Sequence, residues 1–135
     1  IDGMQSWAGL LDDTFRISDL EERIDVRKRL FSPDGQGTRN LALLERKVSE
    51  SATGWAAGTE EMSIADLKLF SELFGLFSGN YDGLEASMIE GYPNLLKYHH
   101  KVANEPRISA HYAHVSSDDL RWTYLPNAFN RIQEF

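Results

Sequence analysis

The sequence has no cysteine, and this absence removes two classes of structure. Without cysteine the chain has neither a disulfide framework nor a thiolate zinc site. No apolar run approaches the roughly 20 residues of a membrane-spanning helix, and no basic stretch precedes an apolar one at the N-terminus, so no secretory signal is visible. We therefore expect no membrane span and a cytoplasmic or other reducing location.

Basic residues are scarce relative to acidic ones. Fourteen Lys and Arg face 21 Asp and Glu, which gives a net charge of −7. This balance argues against non-specific binding to nucleic acid or to anionic membranes. The 135 residues, 41% of them hydrophobic, predict one globular domain. The chain opens on Ile1-Asp2 without an initiator methionine, so we expect a segment of a longer protein.

The strongest local signal is Ser63 followed three residues later by Asp66. The Ser63 hydroxyl can accept a hydrogen bond from a backbone N–H of the first turn, while the Asp66 carboxylate reaches back to the N–H of Ser63. Met62 and Leu67 flank this pair at the spacing of a hydrophobic staple. The pattern predicts a structural capping box at the start of a helix over about 63–78.

Helical periodicity runs through nearly the whole chain, and no strand pattern of useful length interrupts it. A first helix has its apolar stripe at Met4, Trp7, Ala8, Leu11 and Phe15. A second is expected to start at a box of Ser18 and Glu21, with Leu20, Ile24 and Phe31 inward. Its run of charged residues from Glu21 to Arg29, including Arg27, is assigned to a solvated face. We therefore predict an all-α fold.

Downstream, a third helix has Leu41, Leu44 and Val48 on one side. The helix over 63–78 is apolar around most of its circumference, which predicts a buried central helix. A short helix is expected over 84–90. Pro93 and Pro106 suit the first turns of two more helices. The last 20 or so residues have weak periodicity and are interpreted as a tail that packs over the bundle.

Two stretches carry a resemblance to a known family. They are Gly58 to Phe70, centred on Ser63-Ile64-Ala65-Asp66-Leu67, and Tyr92-Pro93-Asn94-Leu95 followed by Val102-Ala103-Asn104-Glu105-Pro106-Arg107-Ile108. Both resemble the C-terminal, all-helical domain of cytosolic glutathione transferases, in a style similar to the sigma-like branch. The resemblance implies a helical bundle over residues 1–113 and a tail over 114–135. The family's N-terminal thioredoxin-like domain, which activates the glutathione thiol, is absent from this chain.

The resemblance also implies roles for particular residues. The hydrophobic co-substrate pocket would be formed by Trp7, Leu11 and Phe15, with Tyr124 and Phe129 from the tail. The alternative is that this aromatic stripe belongs to the core. Asp12 and Asp13 lie where the family places an Asp that contacts glutathione across a dimer interface; the alternative is that they cap a helix end or face solvent. No catalytic residue is expected within this chain.

The histidines invite a metal interpretation, which we reject. His99-His100, His111 and His114 are not accompanied by a carboxylate in a spacing such as His-Glu-x-x-His. They are therefore expected to lie on the surface or to be partly buried, with no metal.

Two functions remain open. The chain is either the helical half of a homodimeric transferase that conjugates glutathione, its co-substrate, to a small hydrophobic electrophile, or a non-catalytic module that serves as a subunit of a larger assembly.

Overall fold

The computed structural model of this chain describes residues 11–129, and these contain helices but no strand. The all-α prediction is confirmed. We number the helices α1 (Leu20–Leu30), α2 (Gln36–Glu50), α3 (Ile64–Gly75), α4 (Pro93–Ala103) and α5 (Pro106–His111), with 3₁₀ helices at Ala86–Gly91 and Leu120–Tyr124. Residues 11–14 are helical and precede α1. The remainder of the first predicted helix, including Met4, Trp7 and Ala8, lies outside the described residues.

Helix α3 is the centre of the bundle. It begins with the predicted capping box of Ser63 and Asp66, and it packs against α4 and against the 3₁₀ helix Leu120–Tyr124. Leu73 and Phe74 are fully buried. The prediction that this helix is buried on all sides is wrong at two positions, because Ile64 is 82% exposed and Leu67 is 44% exposed. The described neighbours cover one side of α3, so the apolar residues on its other side at the leading end meet solvent.

The end of α3 is tightened before the chain turns away. The backbone N–H groups of Leu76, Phe77 and Ser78 donate to carbonyls three residues earlier, which is the pattern of a 3₁₀ turn. Leu76 and Phe77 remain buried in the core. Gly79 follows with φ at +103°, a conformation that side-chain-bearing residues rarely adopt. The apolar run to Ser78 thus combines an α-helix with one further turn.

Helix α1 starts one residue later than predicted. Its N-cap is Asp19, whose carboxylate accepts from the N–H of Glu22 at 3.0 Å. Aspartate caps a helix as well as serine does. Leu20, which was predicted to face inward, is 49% exposed. The solvated-face prediction is wrong for Arg27, which is completely buried. Its guanidinium finds partners on other elements, which the charge pattern of α1 alone does not show.

Helices α2 and α4 are held together by one carboxylate. Glu45 accepts from the backbone N–H groups of Asn94 and Leu95, both at 2.8 Å. These N–H groups belong to the first turn of α4, where no earlier carbonyl of the helix is available. Pro93 occupies the first turn as predicted, and its missing N–H costs nothing there. The two hydrogen bonds of Glu45 thus hold the first turn of α4 against α2.

The chain after α5 folds back onto the bundle. Thr123 is fully buried and Phe129 is 1% exposed. The Phe129 ring lies 5.9 Å from the ring of Phe74 and 4.8 Å from that of His99, measured between centroids. Thr123 and Phe129 therefore contribute to the core of the bundle.

Candidate functional site

A groove with a volume of about 470 Å³ runs along the second half of α3. One wall includes Leu11 and Asp12, the first two residues of the helical stretch 11–14, and Leu11 is 1% exposed. Ser71, Glu72 and Gly75 of α3 form the floor, and the 3₁₀ helix Leu120–Tyr124 forms the opposite wall. Tyr81 closes the end beyond α3. Cavities of this size accommodate small organic molecules.

Three hydrogen bonds fix the tail wall of the groove. The Tyr124 hydroxyl donates to the carbonyl of Ser71 at 2.8 Å, and the Trp122 indole N–H donates to the carbonyl of Ser78 at 2.8 Å. The third involves His99, whose Nε2 lies 2.7 Å from the carbonyl oxygen of Thr123. A carbonyl only accepts, so Nε2 carries the hydrogen. The wall is thus anchored to both α3 and α4.

Gly75 lets this wall approach the central helix closely. A Cβ atom at position 75 would lie 3.0 Å from the hydroxyl oxygen of Tyr124. A side chain there would require the Tyr124 hydroxyl to shift by a few tenths of an ångström. The glycine therefore serves the contact between α3 and the tail, although glycine within a helix costs about 1 kcal/mol relative to alanine.

Arg27 is buried next to the end of the groove that Tyr81 closes, and it contacts residues from two other segments. Its Nε donates to the Thr14 hydroxyl at 2.8 Å and its Nη1 donates to the carbonyl of Asp82 at 3.2 Å. The guanidinium lies 4.6 Å from the centroid of the Phe15 ring and 5.4 Å from that of Tyr81. Burial, and next the charge of Arg23, lower its pKa from the ordinary value. Arg27 thereby ties the residues after Leu11 to the loop that carries Tyr81.

The groove walls carry neutral phenols. Burial raises the pKa of Tyr81, and the nearby carboxylate of Asp12 raises it further while Arg27 opposes the change. Burial likewise raises the pKa of Tyr124, with a smaller contribution from Tyr112. Both hydroxyls are protonated at neutral pH, so they offer ring faces and hydrogen-bond donors but no thiol-activating base.

The family described as glutathione S-transferase, C-terminal domain, matches residues 21–114. The chain belongs to this family. No curated protein and no solved structure matches it. Members of the glutathione S-transferase family use glutathione as co-substrate and are typically dimers.

Within this glutathione S-transferase domain, the groove brings together three of the residues singled out in the sequence. Leu11, Asp12 and Tyr124 all line it. Phe15 stands beside it, 48% exposed, with its ring centroid 5.3 Å from that of Tyr81.

The other predicted residues lie elsewhere. Asp13 faces solvent and lies 3.8 Å from Arg16. Phe129 lies in the core among Phe74, Phe77 and His99, away from the groove surface. Trp7 lies outside the described residues.

Sequence reasoning missed the buried role of His99. It is 0% exposed, which corrects the expectation of a surface or partly buried histidine, whereas His100, His111 and His114 are exposed as expected. Burial lowers the pKa of His99 to about 4, with the bond to Thr123 opposing the shift. Its place between Leu95 and Val102 on the inner stripe of α4 was the available signal. Residues 11–129 contain no group of three or more potential metal ligands.

A second groove, of about 380 Å³, lies at the leading end of α3. Its lining is mostly apolar and includes Met62, Leu67, Phe70, Ile108 and Tyr112. Ile64 stands exposed on the same helix, one turn from Lys68. Among residues 11–129, no helix is long and apolar enough to cross a membrane.

Proposed function

We propose that this domain forms the hydrophobic co-substrate side of a glutathione conjugation site. The observation that carries the proposal is the groove along α3, whose walls come from the end of the first helical segment and from the tail. These are the parts of the chain to which the family resemblance assigned the co-substrate. Glutathione would be held and its thiol activated by a thioredoxin-like domain. The electrophile would lie against Leu120 and Tyr124, with the buried Leu11 beneath the groove surface.

The domain's own contribution would be positioning. Holding an electrophile at a fixed distance from a thiolate converts a bimolecular encounter into an effectively unimolecular step. The hydrogen bonds of Tyr124 and Trp122 to backbone carbonyls of Ser71 and Ser78 give this wall a defined place. Phe15 and, outside the described residues, Trp7 would extend the apolar surface, while Phe129 would support the wall from within the core.

The test uses the full-length protein with glutathione and 1-chloro-2,4-dinitrobenzene. Leu120 is 55% exposed and lines the groove, whereas Leu67 is 44% exposed and lines the second groove, so Leu67→Ala is a matched control. Leu120→Ala should raise the KM for the electrophile about fivefold through lost apolar contact, with the KM for glutathione unchanged. Leu67→Ala should leave both values unchanged. Equal effects of the two variants would contradict the proposal.

We further propose a homodimer, with glutathione contacted across the interface by an aspartate. Two exposed apolar side chains, Phe15 and Leu20, stand at the junction of the first helical segment and α1, which favours an interface there. Of the two candidates, Asp12 lies at the groove, whereas Asp13 is near Arg16. Leu20→Glu should yield a monomer in sedimentation velocity, and Asp12→Asn should raise the KM for glutathione.

The alternative function is a non-catalytic assembly module. It is favoured by the apolar second groove together with Ile64, which is 82% exposed. Absence of both glutathione conjugation and glutathione-agarose binding in the full-length protein would support it. Light scattering would then show an assembly that Ile64→Glu dissociates. The sigma-like subclass, the division of the chain near residue 113 and a cytoplasmic location remain proposals drawn from the sequence.

A further inference from the structure

The groove along α3 has apolar, aromatic and polar residues in its lining. Its exposed leucine is Leu120, and the rings of Tyr81 and Tyr124 also line it. Both phenols are neutral at physiological pH, since the ordinary tyrosine pKa is about 10 and burial raises the pKa of both groups further. Neutral tyrosine rings present a negative face to a cation placed above them. Leu120 and the two phenol rings therefore offer an apolar and aromatic surface to the ring of a ligand.

The groove also carries two carboxylates. Asp12 lines the groove and has no ion pair among the described residues. Its negative charge contributes to the raised pKa of Tyr81. Glu72 has Lys68 as its nearest cation, at 4.0 Å on the helix surface. An exposed pair at this distance neutralises little. In the absence of glutathione, both carboxylates are thus available to a ligand in the groove.

The cations near the groove are already engaged. Arg121 is the one cation among the described lining residues, and it holds Asp119 in a fork, with Nε 2.9 Å from Oδ1 and Nη2 2.8 Å from Oδ2. Arg27 is fully buried behind the rings of Phe15 and Tyr81. A ligand anion would find no free guanidinium, and it would face two carboxylates.

We propose that this groove selects aromatic compounds that carry an ammonium group over aromatic compounds that carry a carboxylate. The inference rests on the proposed function, in that the groove is taken as the co-substrate site, and it adds the class of compound. The ring would lie against Leu120 and Tyr124, and the ammonium would lie between Asp12 and Glu72 beside Tyr81.

A pair of dyes with one fluorophore tests the role of charge. Full-length protein is titrated, without glutathione, with dansylcadaverine, which carries an ammonium group, and with dansylglycine, which carries a carboxylate. We expect dansylcadaverine to bind at least about tenfold more tightly, since each carboxylate contributes a factor of about five at the protein surface. The double variant Asp12→Asn with Glu72→Gln should remove most of this difference. Glu50→Gln, at the exposed end of α2, should leave it unchanged.

Alanine substitutions at Leu120, in this groove, and at Leu67, in the second groove, show where the dye binds. Leu120→Ala should weaken dansylcadaverine binding several-fold, and Leu67→Ala should leave it unchanged. The inference is overturned by absent dansylcadaverine binding, by equal or tighter binding of dansylglycine, by a preference that survives in the double variant, or by a stronger effect of Leu67→Ala.

These results are separable from conjugation. 1-Chloro-2,4-dinitrobenzene is uncharged, so an effect of Leu120→Ala on its KM without any cation preference would leave the proposed function intact and remove only this inference. A cation preference without conjugation would remove the enzymatic proposal and leave a ligand-binding groove.

Discussion

Tyr98 donates its phenolic hydrogen to Asp66 Oδ1 at 2.7 Å inside the bundle. The same oxygen accepts from the N–H of Ala56 at 2.8 Å, and Oδ2 accepts from the N–H of Ser63 at 3.0 Å. Asp66 is completely buried. One carboxylate therefore joins the loop before α3, the first turn of α3, and α4. Its role extends beyond the capping box that the sequence revealed.

The two members of the capping box should differ in their effect on stability. Ser63→Ala removes a partly buried hydroxyl and should cost about 1 kcal/mol. Asp66→Ala leaves three donors without an acceptor in the interior and should cost at least about 3 kcal/mol. Urea unfolding followed by circular dichroism measures both free energies. Equal costs for the two variants would show that Asp66 acts only as a cap.

Tyr98 should make the protein sensitive to alkali. Burial, followed by the hydrogen bond to Asp66, raises the Tyr98 pKa well above its usual value of 10. The folded state then keeps a proton that the unfolded state loses above pH 10, so the contribution is complete below pH 10 and declines as pH rises. Tyr98→Phe should cost about 1.5 kcal/mol at pH 7 and should flatten the loss of stability above pH 10.

The control for this measurement is Tyr112→Phe. Burial raises the pKa of Tyr112 as well, but none of the described residues forms a hydrogen bond with its side chain comparable to that of Asp66. An alkaline slope that Tyr112→Phe flattens more than Tyr98→Phe does would contradict the prediction.

His99 should weaken the fold in mild acid. Burial lowers its pKa from 6.5 to about 4, so between these values the unfolded state binds a proton that the folded state excludes. Stability is complete above pH 6.5 and falls as pH decreases toward 4, by about 3 kcal/mol in all. His99→Leu should abolish the part of this slope between pH 6.5 and 5, where few carboxylates titrate. Urea unfolding at several pH values measures it.

The matched control for His99 is His111→Gln, at an exposed position. It should retain the slope of the unchanged protein. A slope that persists in His99→Leu would assign the acid sensitivity to other groups.

Arg27 should tolerate an apolar replacement of similar length better than truncation. Its methylene stem and guanidinium fill the space beside the rings of Phe15 and Tyr81, which also contact each other. Arg27→Ala empties that space and should cost about 3 kcal/mol. Arg27→Met fills much of it without a buried charge and should cost less than half as much. Equal losses for the two variants in thermal unfolding would show that the charge and its hydrogen bonds, and not the filled volume, stabilise this site.

Local signals in the sequence determined the helices and their starts. Serine, aspartate and proline act on backbone groups within one turn, so the box at Ser63 and the first turns at Pro93 and Pro106 are present as predicted. Leu41, Leu44 and Val48 of α2 are buried as predicted, because their spacing places them on one face of the helix. The cap of α1 shifted from Ser18 to Asp19 because two adjacent residues could serve, and the sequence does not rank them.

Only the tertiary structure decided which residues from distant segments meet. The burial of Arg27 depends on Thr14, Phe15 and Asp82, and that of His99 on Thr123 and Phe129, all of which lie many positions away along the chain. The groove arises because the tail returns to α3 beside Gly75, and neither periodicity nor capping encodes such a contact. Helical spacing is a property of neighbouring residues, whereas burial, pKa and cavity shape are properties of the packed chain.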